Sequence, residues 1–131
     1  MIIWDDAKQK VVITIPVVTA VRGVKISRSY IVIALLNSIY VYNFKSKPDL
    51  WGRFETADNP LGLCCLTSKT LAFPGRTPGQ VQLVELSTRN VSIVPAHSSA
   101  LRALDISQDG EVMATASETV CVDIIYFFRR I

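Results

Sequence analysis

The sequence has 131 residues, of which 50% are hydrophobic and 19% charged, with a formal net charge of +3. That is enough chain for one domain with its own core, and so apolar a composition excludes a disordered, solvated polypeptide. The mild positive balance permits an acidic partner or an anionic membrane surface and requires neither.

The opening MIIWDDAKQK lacks the charged segment and long apolar run of a secretory signal. The longest aliphatic run, IVIALL at 31–36, is broken by Asn37 and Ser38 and is far too short to cross a bilayer. Membrane contact is therefore expected to be peripheral. IIWDD at 2–6 reads as the closing strand of a unit, and Trp4-Asp5 resembles the dipeptide that ends many WD-type blades. A short strand, VVITI at 11–15, then leads into VRGVKISRSYIVIALLNSIYVYNF. The pattern returns as LWGRFET at 50–56 before LGLCCLTSKTLAFPGRTPGQVQLVEL, and as NVSIV at 90–94 before LRALDISQDGEVMATASETVCVDIIYF.

These three longer segments start at Val21, Leu61 and Leu101, 40 residues apart. Each alternates apolar strands with polar turns: SRS at 27–29, TSK at 67–69 and SQDG at 107–110. Asp109-Gly110 between apolar runs is a hairpin signal. β-Branched residues dominate and no long helical period occurs. About four strands per forty-residue repeat is the pattern of propeller blades. A twelve-strand sandwich or barrel is the competing arrangement, but it has no reason to keep a period. The expected fold is all-β: part of a WD40-like propeller with about three four-stranded blades. The expected units are 1–6 (the end of a blade), 10–44, 50–86 and 90–127. A propeller needs roughly four blades to close. The chain is thus expected to be a piece of a larger propeller, a truncated product or a partner-dependent assembly, marginal as a lone monomer.

The three cysteines, Cys64, Cys65 and Cys121, have neither metal-site nor disulfide spacing and are expected to be reduced thiols in the cytosol. On a strand, Cys64 and Cys65 would point to opposite faces. The single histidine, His97 in PAHSSALRAL, fits an anchor of a turn better than a catalyst. With no second His or Cys/His cluster a zinc site is not expected. No G-x-S-x-G is present, and the acidic residues are scattered in turns. No catalytic constellation, metal or cofactor is therefore expected. FPGRTPGQ at 73–80 lacks the lysine and spacing of a P-loop and reads as a hairpin connection. Lys8, Lys10, Arg22, Lys25 and Arg28 are spread as a solvated face, without the interleaved aromatics of a nucleic-acid site. ATASET at 114–119 has two readings. Its hydroxyls can bond phosphate oxygens beside arginines, or they are the polar face that a strand exposes, which is the reading the residues alone favour.

Several words of the sequence, taken together and in order, resemble one family. IIWDD, FETADNPLGLC, LAFPGRTPGQVQLVEL, IVPAHSSALRALDIS and DGEVMATASET are similar to the PROPPIN (WIPI) family of phosphoinositide-binding propellers, nearest its fungal Hsv2-like branch. The resemblance covers about residues 2–119. It implies a seven-bladed propeller that binds phosphatidylinositol 3-phosphate and 3,5-bisphosphate through two rim pockets. It also implies a cytoplasmic scaffold of autophagy, peripheral on preautophagosomal, endosomal or vacuolar membranes, with an autophagy lipid-transfer protein as a partner of some members. This chain would correspond to the end of the second blade through the fifth.

By the same resemblance His97, Thr115 and Ser117 occupy headgroup-binding positions. Thr119 fits the family pattern, but Val120, Cys121 and Ile124 replace its glycine, threonine and arginine. The end FFRRI resembles the Phe-Arg-Arg-Gly signature, whose arginines serve the two pockets: Phe128, Arg129 and Arg130 match, while Ile131 replaces the glycine. A gapless alignment makes VDIIYF a blade strand and puts Arg129 and Arg130 ahead of the signature's place. Accepting the signature deletes most of that strand. The repeat favours the gapless version. The alternative function is a protein-interaction module without lipid binding, offering blade surfaces or open edges to a partner.

Overall fold

Runs such as YIVIA and QVQLVE, rich in β-branched and aliphatic residues, are built for a pleated backbone buried on at least one face. In the structure, a computed structural model, residues 2–5, 10–17, 19–118 and 122–126 are described, with backbone alone at 4–5, 10–13 and 122–126. The described residues form strands and no helix. β1 (Ile2–Asp5) pairs antiparallel with β2 (Lys10–Thr14). β3 (Gly23–Ile26), β4 (Tyr30–Ala34), β5 (Ser38–Asn43) and β6 (Leu50–Glu55) form a four-stranded sheet in chain order. β7 (Cys65–Leu66), β8 (Thr70–Pro74), β9 (Gln80–Glu85) and β10 (Val91–Pro95) form the next. β11 (Leu101–Ile106), β12 (Val112–Ser117) and β13 (Val122–Tyr126) form a three-stranded sheet.

The sheets are antiparallel meanders stacked face to face, the blades of a partial propeller. Their phase differs from the sequence units 10–44, 50–86 and 90–127. The strands at 50–55 and 91–95, expected to open a unit, hydrogen-bond instead to β5 and β9 of the sheet before them. Likewise β2 pairs back to β1. Each sheet boundary therefore lies one strand later than the repeat suggested. The hydrogen-bonded ladders set these boundaries, and the links out of β6 and β10 cross to the next sheet.

The period of two along the strands sorts side chains into successive apolar layers. Ile31 and Ile33 of β4 pack with Ile15 and Leu35 toward the β1–β2 side. Val32 and Ala34, on the other face, pack with Leu71 and Phe73 of β8 and Val84 of β9. On the opposite face of that second sheet, Ala72, Val81 and Leu83 join Leu101 and Met113 of the third. Cys64 falls in one layer and Cys65 in the next, as their adjacency on an extended chain requires.

The three predicted turns share one device. A hydroxyl at the turn's first residue accepts a backbone N–H on its far side: Tyr30 N to Ser27 Oγ at 3.1 Å, Thr70 N to Thr67 Oγ1 at 2.9 Å, and Val112 N to Ser107 Oγ at 3.0 Å.

Candidate functional site

His97 lies just past the end of β10, where the chain crosses from the second sheet to the third. Two contacts hold it there. Its backbone N–H donates to the Gly79 carbonyl at 3.0 Å, and its side-chain Nε2 hydrogen-bonds Thr115 Oγ1 on β12 at 2.8 Å. The histidine thus ties the β8–β9 hairpin to the middle strand of the next sheet. Gly79 makes the approach possible. It sits at φ +88°, and a Cβ there would fall 2.0 Å from the His97 carbonyl oxygen. The sequence marked FPGRTPGQ as a hairpin, which it is, since Gly75 N donates to Gln80 O at 2.8 Å. It gave no sign that the hairpin's glycine lies against the histidine.

Thr115 and Ser117 follow from the alternation of VMATAS, in which every second side chain is buried. Thr115 is 2% exposed and Ser117 7%. Thr115 lies opposite Leu104 of β11 and Asp123 of β13; Ser117 lies opposite Leu101. Glu118 N donates to Ala100 O at 3.0 Å and closes the sheet beside them. These hydroxyls therefore point into the body of the fold, which corrects the reading of ATASET as an exposed polar face. A cavity of about 100 Å³ adjoins the crossing, lined among others by Asp58, Thr77, Gly79 and Leu101.

The structure brings His97 to Thr115 and sets Ser117 on the same face of β12. Arg129 and Arg130 lie outside the described residues, as do Thr119, Val120 and Cys121. Residues 122–126 form the third strand of this sheet, paired with β12, with Ile124 opposite Ala114. That is the strand assignment of the gapless reading. Among the described residues no group of three His, Cys, Asp or Glu side chains is placed to hold a metal, and no helix is long and apolar enough to cross a membrane. Burial pushes the Cys64 thiol up to about 11 and the Cys65 thiol up to about 12, so both are protonated near neutrality.

Comparisons with known proteins agree with this architecture. The PROPPIN family model matches residues 2–129. SVP1-like protein 2 of Emericella nidulans is 66% identical over 118 residues, covering 90% of this chain and 37% of that protein. WD repeat domain phosphoinositide-interacting protein 2 of Gallus gallus is 36% identical over 104 residues, covering 75% of this chain and 24% of that protein. The solved structure of Kluyveromyces lactis Hsv2 superposes with a TM-score of 0.82 at 19% identity, over 94% of this chain and 39% of that one. The chain thus spans less than two-fifths of the length of these proteins. With the family matched across nearly its whole length and the stacked four-stranded sheets in place, the chain belongs to the PROPPIN family.

Proposed function

We propose that His97, Thr115 and Ser117, with Arg129 and Arg130, contribute to a phosphoinositide-headgroup site of a peripheral, non-enzymatic scaffold of autophagy. The observation that carries this reading is the 2.8 Å hydrogen bond between His97 and Thr115, with Ser117 on the same strand face. Two separate words of the sequence pattern, the one holding His97 and the one holding Thr115 and Ser117, meet at one sheet-to-sheet crossing. Guanidinium forks pair bidentately with phosphate oxygens, and hydroxyls and an imidazole supply the remaining hydrogen bonds. The ligands are phosphatidylinositol 3-phosphate and phosphatidylinositol 3,5-bisphosphate. The whole protein works on preautophagosomal, endosomal or vacuolar membranes, with a lipid-transfer protein as partner. Val120, Cys121 and Ile124 replace a glycine, a hydroxyl and a charge of the family pattern, so binding by this chain is weak.

Flotation with liposomes containing or lacking phosphatidylinositol 3-phosphate tests this. The expected result is a small lipid-dependent enrichment that Arg129→Thr with Arg130→Thr abolishes. Equal flotation with both liposomes overturns it, and binding that survives the double substitution removes the arginines from the site.

A second reading, a protein-interaction module, is favoured by β10. This outermost strand of its sheet exposes Val91 (47%) and Ile93 (59%) and suits strand addition by a partner. A protein retained in pull-downs after the arginine pair is removed, and lost on Ile93→Lys, supports that reading.

A further inference from the structure

The first four-stranded sheet carries a cleft that the headgroup reading does not use. It has a volume of about 360 Å³ and lies between the segment entering β3 and the β4–β5 turn. Its polar lining is Thr19, Arg22, Asn37, Ser38, Tyr40 and Arg53, and among the described residues no carboxylate lines it. None of these residues belongs to the His97 site. We propose that this cleft binds a small phosphorylated anion, with Arg22 and Arg53 as its two cationic ligands.

Arg53 is set in place before any ligand arrives. Its Nε donates to Tyr40 Oη at 3.1 Å, and its guanidinium lies 5.6 Å over the Tyr40 ring. Tyr40 is itself stacked on Tyr42 at 6.5 Å. The nearest carboxylate oxygen, on Glu55, is 4.0 Å from an Arg53 terminal nitrogen, beyond hydrogen-bond reach, and both side chains are more than half exposed. The terminal nitrogens of Arg53 thus have no hydrogen-bond partner among the described residues.

Arg22 is fixed through its backbone. Its N–H donates to Ala34 O at 2.7 Å. Gly62 packs so closely that a Cβ there would lie 2.2 Å from the Arg22 carbonyl oxygen. The Arg22 side chain is exposed and makes no ion pair among the described residues. Two arginines at one cleft, with no acid among its described lining residues and Asp58 engaged by Asn37 at its edge, favour a doubly charged oxyanion. The hydroxyls of Thr19 and Ser38 complete the hydrogen-bonding set. The volume exceeds that of phosphate alone and accommodates a phosphorylated ring. The same chemistry fits a soluble phosphorylated molecule and the headgroup of a lipid.

The test is an NMR titration of the ¹⁵N-labelled 131-residue chain at constant ionic strength. The probes are inorganic phosphate, inositol 1,3-bisphosphate and sodium chloride. The expected result is a saturable shift of the Arg53 Nε–H and of the Ser38 and Tyr40 amides with both phosphates, and none with chloride. Arg22→Gln and Arg53→Gln each weaken binding by about tenfold or more, the loss expected for one charge-assisted hydrogen-bonding partner. Tyr40→Phe, which removes only the hydroxyl that holds Arg53, weakens it less. Arg76→Gln, on the exposed β8–β9 turn, leaves it unchanged. Vesicles containing phosphatidylinositol 3-phosphate that perturb the same resonances identify a lipid source; response to the soluble probes alone identifies a free phosphorylated molecule. The proposal is overturned if no shift saturates, if chloride reproduces it, or if the two arginine substitutions leave it intact.

Discussion

At Gly79 a backbone conformation and a contact coincide. The residue is at φ +88°, a region that costs a side chain on the order of 1–3 kcal/mol, and the His97 carbonyl occupies the space a Cβ would need. Gly79→Ala is expected to lower stability by about 3 kcal/mol or more in urea titration, because strain and overlap add. A loss below about 1 kcal/mol would mean that the hairpin moves freely away from His97. At Thr115 the issue is polarity within a buried strand face. Thr115→Val keeps the shape but takes away the hydroxyl facing His97 Nε2, at an expected cost of about 1–3 kcal/mol. Thr115→Ser, which retains it, should cost clearly less. Both positions were legible as words of a family pattern. Their contacts were not, because each joins residues 18 apart in sequence, which carry no local signal of being neighbours.

Among the elements, β8, like β4, is buried on both faces and serves two apolar layers. Phe73 is fully buried and lies 5.2 Å from Phe54 of the preceding sheet, centroid to centroid. Phe73→Ala is expected to cost about 3–5 kcal/mol by denaturant unfolding, and Phe73→Leu distinctly less. A second tie joins the same two sheets from outside. Arg89, in the β9–β10 turn at φ +64°, lies 4.1 Å over the Trp51 ring and donates to the Trp51 carbonyl at 2.8 Å. Arg89→Ala should cost about 1–2 kcal/mol, from the lost cation–π and hydrogen bonds. Arg89→Gly loses the same contacts but relieves the positive φ, so it should be the milder change. The reverse order in thermal melts would show that the turn strain is negligible. The repeat revealed these strands and their turns, but not which four share a sheet. A forty-residue period reads the same from whichever strand it is started, and only hydrogen bonding selects the phase.

Across the whole molecule, stability comes from successive apolar layers, each shared by two neighbouring units. The adjacent thiols report on two of them, because Cys64 and Cys65 sit in different layers. Burial raises both from an ordinary value of 9.0, to about 11 and about 12, and Cys65 Sγ also donates to Leu104 O at 3.2 Å. Both groups are neutral in the fold and ionise more readily in the unfolded chain. Their contribution is therefore fully present below pH 9.0 and lost as pH rises from there toward 12. Each thiol should account for up to about 1.4 kcal/mol per pH unit in that window. Urea midpoints should fall with rising pH above about 9 in the wild-type chain and less in Cys64→Ala with Cys65→Ala, compared as slopes. Equal slopes would show that other groups govern alkaline unfolding.

By itself the sequence determined the strands, their period, their turns and the family, because each rests on local composition and ordered words. It also placed Cys64 and Cys65 on opposite faces, since a period of two leaves an extended chain no choice. The tertiary structure decided which strands share a sheet, and it turned Thr115 and Ser117 inward. It also brought Gly79 and His97 together and opened the Arg22–Arg53 cleft. Those outcomes depend on hydrogen bonds and packing between segments far apart in the chain. Nothing local in a strand records which neighbour will cover it.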